Sequence, residues 1–140
     1  SQSLFFNKDK MNRENIGYIG EDLVAKYLKS KGYIILKQNY HSKFGEIDII
    51  AESRQYLLFI EVKTRKENAL IPPAMAVSTQ KQRKIVLTAF DFISKSRIDI
   101  NFRFDIAEVW YHVDQNGEMK FNLNYIEDAF CDEVLNDKPF

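Results

Sequence analysis

Residues 58–65 have the sequence LFIEVKTR, which predicts a buried β-strand that ends in opposite charges. Three apolar residues come first, and Glu61 and Lys63 then follow at a spacing of two. Because side chains alternate along a strand, Phe59, Glu61 and Lys63 should share one face of the sheet. A solvated strand end or a cross-strand ion pair would also produce this pattern. The neighbouring strand is therefore needed to interpret the two charges.

That neighbouring strand carries a second acid among isoleucines, in the run Ile47-Asp48-Ile49-Ile50. A loop of hairpin size, residues 53–55, separates it from the first strand, which predicts an antiparallel pair. Asp48 lies near the start of one strand and Glu61 near the end of the other, so we expect their side chains to meet. Two close carboxylates in apolar surroundings repel each other and resist ionisation. A cation between them would remove both penalties.

Two carboxylates and a nearby lysine are the groups that metal-assisted phosphodiester hydrolysis needs. Mg²⁺ is a hard ion that takes carboxylate oxygens and keeps waters for substrate phosphate. It polarises the phosphate and supplies a hydroxide nucleophile. A lysine such as Lys63 can orient the attacking water and stabilise the charge that develops on phosphate. Asp48, Glu61 and Lys63 thus predict a hydrolytic site for Mg²⁺ or Mn²⁺.

The rest of the sequence predicts an α/β protein, with one mixed sheet packed against helices and an αβββαβ core. Ser78 or Thr79 should cap the second helix, and Thr79 with Gln82 has the spacing of a capping box. The expected helices cover residues 15–31, about 79–94, and a short closing segment around 126–134. The expected strands cover residues 33–36, 46–51, 56–64, 102–113 and 119–123, with a loop at 66–77 and a turn at 114–117.

The length of 140 residues favours a single domain. We expect flexible lead residues at 1–14, the domain at 15–130 and an acidic extension at 131–140. Cys131 is the only cysteine, which excludes an internal disulfide and a cysteine-based metal site. No apolar run approaches the ~20 residues of a membrane span. These features predict a cytoplasmic protein without a membrane partner.

The net charge of zero hides an uneven distribution along the chain. Residues 1–90 hold 15 Lys and Arg against 9 Asp and Glu, a net charge of +6. Residues 91–140 hold 5 against 11, a net charge of −6. A basic half is typical of proteins that bind a polyanion, although an unevenly solvated surface gives the same count. The basic half contains the strand with Glu61 and Lys63.

Several short motifs occur together in a recognisable order. They are Gly20-Glu21, the run 32–36, Asn39, the run 45–50, the run 59–65, Ala76-Val77, Lys81 and Arg103-Phe104-Asp105. This combination resembles the YraN-type family of small bacterial proteins, over roughly residues 15–130. That family is similar to the PD-(D/E)xK nuclease superfamily, near the Holliday-junction resolvases.

The resemblance implies a restriction-endonuclease-like fold with its acids gathered at one edge of the sheet. It implies that Asp48 and Glu61 are metal ligands and that Lys63 is the catalytic lysine. Glu21 matches a helix-borne acid that many resolvase-like relatives add to the catalytic and metal site. A solvated helix residue is the alternative interpretation of Glu21.

Five basic residues near these motifs are candidates for contacts with the phosphate backbone of a nucleic acid. They are Lys43, Arg65, Lys81, Arg83 and Lys84. A solvated helix face would equally explain the last three. Arg103 and Asp105 are expected to form a structural pair.

The sequence therefore predicts a metal-dependent endonuclease that hydrolyses DNA, with branched or repair intermediates among its candidate substrates. One alternative is a nucleic-acid-binding module of the same fold without turnover. Another is a structural or interaction protein that uses its acidic half. Symmetric cutting of a junction would require a homodimer with two-fold symmetry.

Overall fold

The computed structural model describes the backbone of residues 2–5, 13–68 and 77–136, and the side chains of residues 15–68 and 77–136. Part of the predicted loop at 66–77 and the end of the acidic extension lie outside these ranges. Two long helices and six strands make up most of the described chain. In chain order they are β1 (Gln2–Phe5), α1 (Arg13–Ser30), β2 (Ile34–Ser42), β3 (Gly45–Glu52), β4 (Tyr56–Lys66), α2 (Thr79–Ser96), β5 (Asn101–Val113) and β6 (Glu118–Phe130), followed by a 3-10 helix, Asp132–Asn136.

The six strands form one mixed sheet in the order β1-β6-β5-β4-β3-β2. Only β4 and β5 run parallel, since helix α2 returns the chain to the same end of the sheet between them. The other neighbouring pairs are antiparallel. This mixed sheet and its αβββαβ order confirm the predicted fold class. The strand β1, which pairs with β6 at one edge, was not predicted, because residues 1–14 carry no clear strand pattern.

Each long helix covers one face of the sheet, so the core has two layers. Val24 and Leu28 of α1 pack with Ile60 and the residues on its face of the sheet. Ile85 and Phe92 of α2 pack on the opposite face. Successive residues of the buried strand β4 supply both layers, which explains why its sequence is continuously apolar.

The start of α2 differs from the predicted capping box. Ser78 is the N-cap, and its hydroxyl accepts a hydrogen bond from the Lys81 backbone N–H at 3.1 Å. Gln82 instead donates its side-chain N–H to the Val77 carbonyl at 3.1 Å. The cap places Lys81 in the first turn of α2, at the end of the helix that faces the acids of the sheet.

The predicted closing helix around residues 126–134 is wrong over most of its length. Strand β6 continues to Phe130, whose ring stacks on Phe104 with 5.1 Å between centroids. A buried carboxylate, Asp105, also anchors this stretch by accepting hydrogen bonds from the Tyr125 hydroxyl at 2.6 Å and the Asp128 N–H at 2.9 Å. These contacts with β5 outweigh the helical spacing of the apolar residues, and the described chain ends with the 3-10 helix.

Candidate active site

The antiparallel pair β3–β4 separates at the two predicted acids. The last register pair joins Ile49 to Ile60, and Asp48 lies one position beyond it. There the carboxylate of Asp48 accepts a hydrogen bond from the Val62 backbone N–H at 2.8 Å. The side chain thus satisfies a backbone donor that the separated strand no longer pairs. Among the described strands, none pairs with this edge of β4 from Glu61 onward, while the other edge continues to pair with β5.

Glu61 is held between two lysines at this open edge. Its side chain is only 5% exposed, and its Oε1 lies 3.4 Å from Lys63 Nζ and 3.9 Å from Lys81 Nζ. Lys63 follows from the alternation of β4, whereas Lys81 arrives from the first turn of α2. The expected proximity of Asp48 and Glu61 is found as well, because both line the same cleft.

Helix α1 brings Glu21 to this cleft through a close contact at Gly20. A Cβ atom built on Gly20 would overlap the hydroxyl of Thr64 on β4, so only glycine lets the helix approach this near. Glu21 lines the cleft, and its Oε2 accepts a hydrogen bond from Asn39 Nδ2 at 3.2 Å. The Gly20-Glu21 motif therefore combines a packing requirement with the placement of an acid.

Burial and neighbouring carboxylates raise the pKa values of all three acids. Burial first, and the carboxylate of Asp48 second, raise the pKa of Glu61 to about 7. The same two causes raise the pKa of Glu21 to about 6. Burial also raises the pKa of Asp48, although the N–H donated by Val62 opposes this effect. A bound cation would favour the ionised form of each acid.

The donor set fits a hard divalent cation held by two carboxylates. Among the described residues, no group of three or more His, Cys, Asp or Glu side chains is close enough to hold a metal ion together. Glu21 is therefore not gathered with Asp48 and Glu61 into one shell, and its carboxylate is engaged by Asn39. Mg²⁺ usually takes one or two protein carboxylates and completes its shell with water and phosphate, which suits Asp48 and Glu61.

The cleft has a volume of about 630 Å³ and surrounds the open edge of β4. Six consecutive residues of that strand line it, so it is reached by side chains from both faces of the sheet. Its described lining comprises Ile16, Gly17, Glu21, Glu46, Asp48, Glu61, Val62, Lys63, Thr64, Arg65, Lys66, Lys81 and Tyr111.

The five residues predicted to contact phosphate lie in different parts of the structure. Arg65 and Lys81 line the cleft. Lys84 and Lys81 line a neighbouring depression of about 340 Å³, and Lys43 lies beside it with its ammonium 5.1 Å from the ring centre of Phe44. Arg83 is directed elsewhere, because its Nε donates to the Val134 carbonyl of the 3-10 helix at 3.1 Å.

Two acids near the site were not assigned from the sequence. Glu46 lines the cleft, and its charge contributes to the raised pKa of Asp48. Glu108 is buried on β5 opposite Lys63; Asn124 donates to its Oε1 at 2.7 Å, and its Oε2 has no hydrogen-bond partner among the described residues. Its alternation with Phe104 along β5 is a signal that would have placed it on the face that carries Lys63.

Arg103 and Asp105 form the predicted structural pair. Arg103 Nε lies 3.0 Å from Asp105 Oδ1, and the Asp105 side chain is fully buried. Neither residue lines the cleft. No helix in the described part of the chain is long and apolar enough to cross a membrane.

Comparison with protein families gives a match over residues 20–109 to the family described as "Uncharacterised protein family UPF0102". The chain belongs to this family. UPF0102 proteins from Clostridium perfringens and Alkaliphilus oremlandii are 40% and 44% identical to it, over 122 and 123 residues. Each alignment covers 86% of this chain, with 98% and 100% of the respective relatives. A UPF0102 protein of Clostridium botulinum is 46% identical over 84% of this chain and 94% of its own.

These matches confirm the resemblance to the YraN-type family. Among solved structures, that of Pyrococcus furiosus SfsA in complex with Ca²⁺ matches with a TM-score of 0.45 and 14% identity. The match covers 83% of this chain and 64% of the other.

Proposed function

We propose that this UPF0102 protein is a metal-dependent endonuclease that hydrolyses phosphodiester bonds of DNA. The observation that carries the proposal is the pair of repelling carboxylates, Asp48 and Glu61, at an open strand edge with Lys63 beside them. A buried pair with raised pKa values is expensive as a purely structural feature and is useful where a cation binds. The mixed sheet, which the restriction-endonuclease-like fold would require, and the family motifs agree with this use.

Each group has a role that follows from its position. Asp48 and Glu61 would hold Mg²⁺ or Mn²⁺, and the backbone N–H of Val62 fixes the orientation of Asp48. The ion, when bound, supplies a Lewis acid and a bound water of lowered pKa. Lys63 and Lys81, both within 4 Å of Glu61, are positioned to bind phosphate oxygens beside the acids.

Lys63 has the more direct role in the transition state. Negative charge grows on the phosphate oxygens as the attacking oxygen bonds to phosphorus, and on the leaving oxygen as its bond breaks. An ammonium fixed in a half-buried site stabilises this charge more in the transition state than in the ground state. Arg65, on the same face of β4 and in the same cleft, extends the positive wall along the backbone of the substrate. The Nε of Arg65 is buried and has no hydrogen-bond partner among the described residues.

A panel of labelled substrates tests the proposal. Duplex, single-stranded, flapped and four-way-junction DNA, and matched RNA, are incubated with Mg²⁺, Mn²⁺ or a chelator. We expect metal-dependent cleavage of at least one DNA that Glu61→Gln abolishes. Lys95→Ala serves as the control, because Lys95 forms an ion pair of similar length with Asp91, 3.2 Å, on an exposed helix surface. Binding of a nucleic acid without cleavage of any substrate would instead support a nucleic-acid-binding module.

A further inference from the structure

Gly17 lines the cleft, and no close packing contact among the described residues explains why a glycine occurs there. It lies inside helix α1, where glycine is less favourable than alanine. A Cβ atom built there meets nothing within 4 Å among the described residues, in contrast to the close contact at Gly20. Gly17 lines the same cleft as Glu61. Among the described residues, the missing side chain therefore leaves space in the cleft and serves no close packing contact.

An aromatic side chain also lines the cleft. Tyr111 lies at the end of β5, where it pairs with Lys66 of β4. Its ring packs against Phe121 with 6.4 Å between centroids. Ile16 of α1 adds an apolar contact to this lining. An apolar and aromatic wall with an open glycine surface suits a flat ring better than it suits a phosphate.

This wall is on the opposite side of β4 from the catalytic groups. Glu61 and Lys63 point toward the face covered by α2, whereas Val62 packs with the layer covered by α1, to which Tyr111 also belongs. The cleft joins the two sides around the open edge of the strand. Tyr111 pairs with Lys66, five residues along β4 from Glu61, which is roughly 16 Å at the rise of a strand. The base that reaches the wall therefore belongs to a nucleotide further along the strand than the one whose phosphate lies at the acids. A base that is paired and stacked in a duplex cannot reach the wall without leaving the stack.

We propose that Gly17, Ile16 and Tyr111 form a seat for the base of an unpaired nucleotide further along the strand that is cut. The preferred substrate is then DNA that is single-stranded beside the cutting position, such as a flap, a gap or an open junction. This inference rests on the proposed nuclease function and names its substrate class. The seat acts through shape and stacking, so it should accept different bases.

Binding measurements in Ca²⁺ test the seat separately from turnover. Fluorescence anisotropy is measured with a labelled oligothymidine strand, the same strand in a duplex, and a strand of abasic residues with the same phosphates. We expect the native protein to bind oligothymidine about tenfold more tightly than the duplex or the abasic strand, which is the effect of stacking one base. Gly17→Leu should remove this preference by filling the wall, and leave duplex binding unchanged.

Two variants control for folding and for the added side chain. Tyr18→Leu places a leucine in the same turn of α1, at a side chain that is 62% exposed and outside the cleft lining, and should bind like the native protein. Gly17→Ala should melt at a temperature equal to or above that of the native protein and lose part of the preference. It replaces Gly17→Leu if the leucine variant does not fold.

The proposal of a base seat is rejected if Gly17→Leu keeps the preference for oligothymidine. It is also rejected if Gly17→Leu weakens the binding of the abasic and thymidine strands equally, because equal losses would indicate a sugar or phosphate contact. Cleavage of the substrate panel is scored in parallel. Base-dependent binding without cleavage of any substrate would retain the seat and reject the nuclease proposal. Metal-dependent cleavage that is equal on duplex and single strands, and unaffected by Gly17→Leu, would retain the nuclease proposal and reject the seat.

Discussion

At the scale of single residues, the site is defined by buried carboxylates whose ionised forms cost free energy in the folded protein. Glu61 is almost fully buried and lies in the same cleft as a second carboxylate, Asp48. Two lysines compensate Glu61 only in part, since its pKa remains raised to about 7. The chemistry of the cleft should therefore appear in measurements of pH, metal affinity and rate at individual side chains.

The stability of the metal-free protein should fall as the pH rises from about 5 to 8. Glu61 has a pKa of about 7 when folded and a usual value of 4.5, so between these values the folded state binds more protons than the unfolded state. Stability gained by protonation is then lost as the pH increases. Glu61→Gln should flatten this dependence and should raise stability at pH 8 by on the order of 1–2 kcal/mol. Denaturant unfolding at pH 5 and pH 8 with chelator measures both effects, and an unchanged slope in the variant would contradict the raised pKa.

Lys63→Ala should separate metal binding from catalysis. The substitution removes a positive charge near the cation, so metal affinity should stay the same or increase slightly. Cleavage should slow by a factor on the order of 10² or more, because the lost interaction strengthens in the transition state. Titration calorimetry and single-turnover cleavage measure the two quantities, with Lys95→Ala as the control. A slowing of less than about threefold, as expected for a surface ion pair, would reject the catalytic role.

At the scale of elements, the site depends on how closely α1 approaches the end of β4. Gly17 and Gly20 occupy the same helix one turn apart. Within the described part of the chain, Gly20 faces a neighbouring side chain, that of Thr64, and Gly17 faces none. The two glycines thus form a matched pair for testing this approach.

Gly20→Ala and Gly17→Ala should change stability in opposite directions. The new methyl group at position 20 would overlap Thr64 and should destabilise the protein by about 1–3 kcal/mol, the usual cost of overpacking. At position 17 the methyl group has open space, and the better helix propensity should stabilise the protein by about 0.5–1 kcal/mol. Denaturant unfolding compares the variants, and Thr64→Ala should recover part of the loss at position 20. Equal effects at the two positions would contradict the close contact.

The sequence predicted the elements that local pattern controls and missed those that depend on partners. Alternation along β4 located Glu61 and Lys63 on one face, and the hairpin spacing located Asp48 opposite them. The separation of β3 from β4 had no local signal, because it arises where the Asp48 side chain takes the Val62 N–H. The extension of β6 was missed for the same reason, since contacts with Phe104 and Asp105 on β5 decide it.

At the scale of the whole molecule, several basic residues from the first ninety positions lie in or beside the cleft. Arg65 and Lys81 stand in the cleft and Lys43 beside the adjoining depression, whereas Arg83 is bonded to the 3-10 helix near the acidic C-terminal end. Binding of DNA should therefore use a small number of phosphate contacts around the cleft.

Three such contacts should give a measurable salt dependence. If Lys43, Arg65 and Lys81 each neutralise one phosphate, the log–log slope of affinity against salt should be about −3 on duplex DNA. Substitution of any one of them by alanine should reduce the slope by about one unit. Arg83→Ala should leave it unchanged, provided that the variant retains the native melting temperature. Anisotropy titrations across a salt series give the slopes, and a flat response would reject the polyanion interpretation of the basic half.

The joint binding of a divalent cation by Asp48 and Glu61 is tested most directly by calorimetric titration of the folded protein with Mn²⁺ or Mg²⁺. We expect one ion to bind the native protein and release protons at pH 6.5, because Glu61, whose pKa is raised to about 7, must ionise. Asp48→Asn and Glu61→Gln should each weaken binding at least about tenfold, while Lys63→Ala should leave it unchanged or slightly tighter. Equal affinities in all four proteins would show that the cation is not held by these two carboxylates.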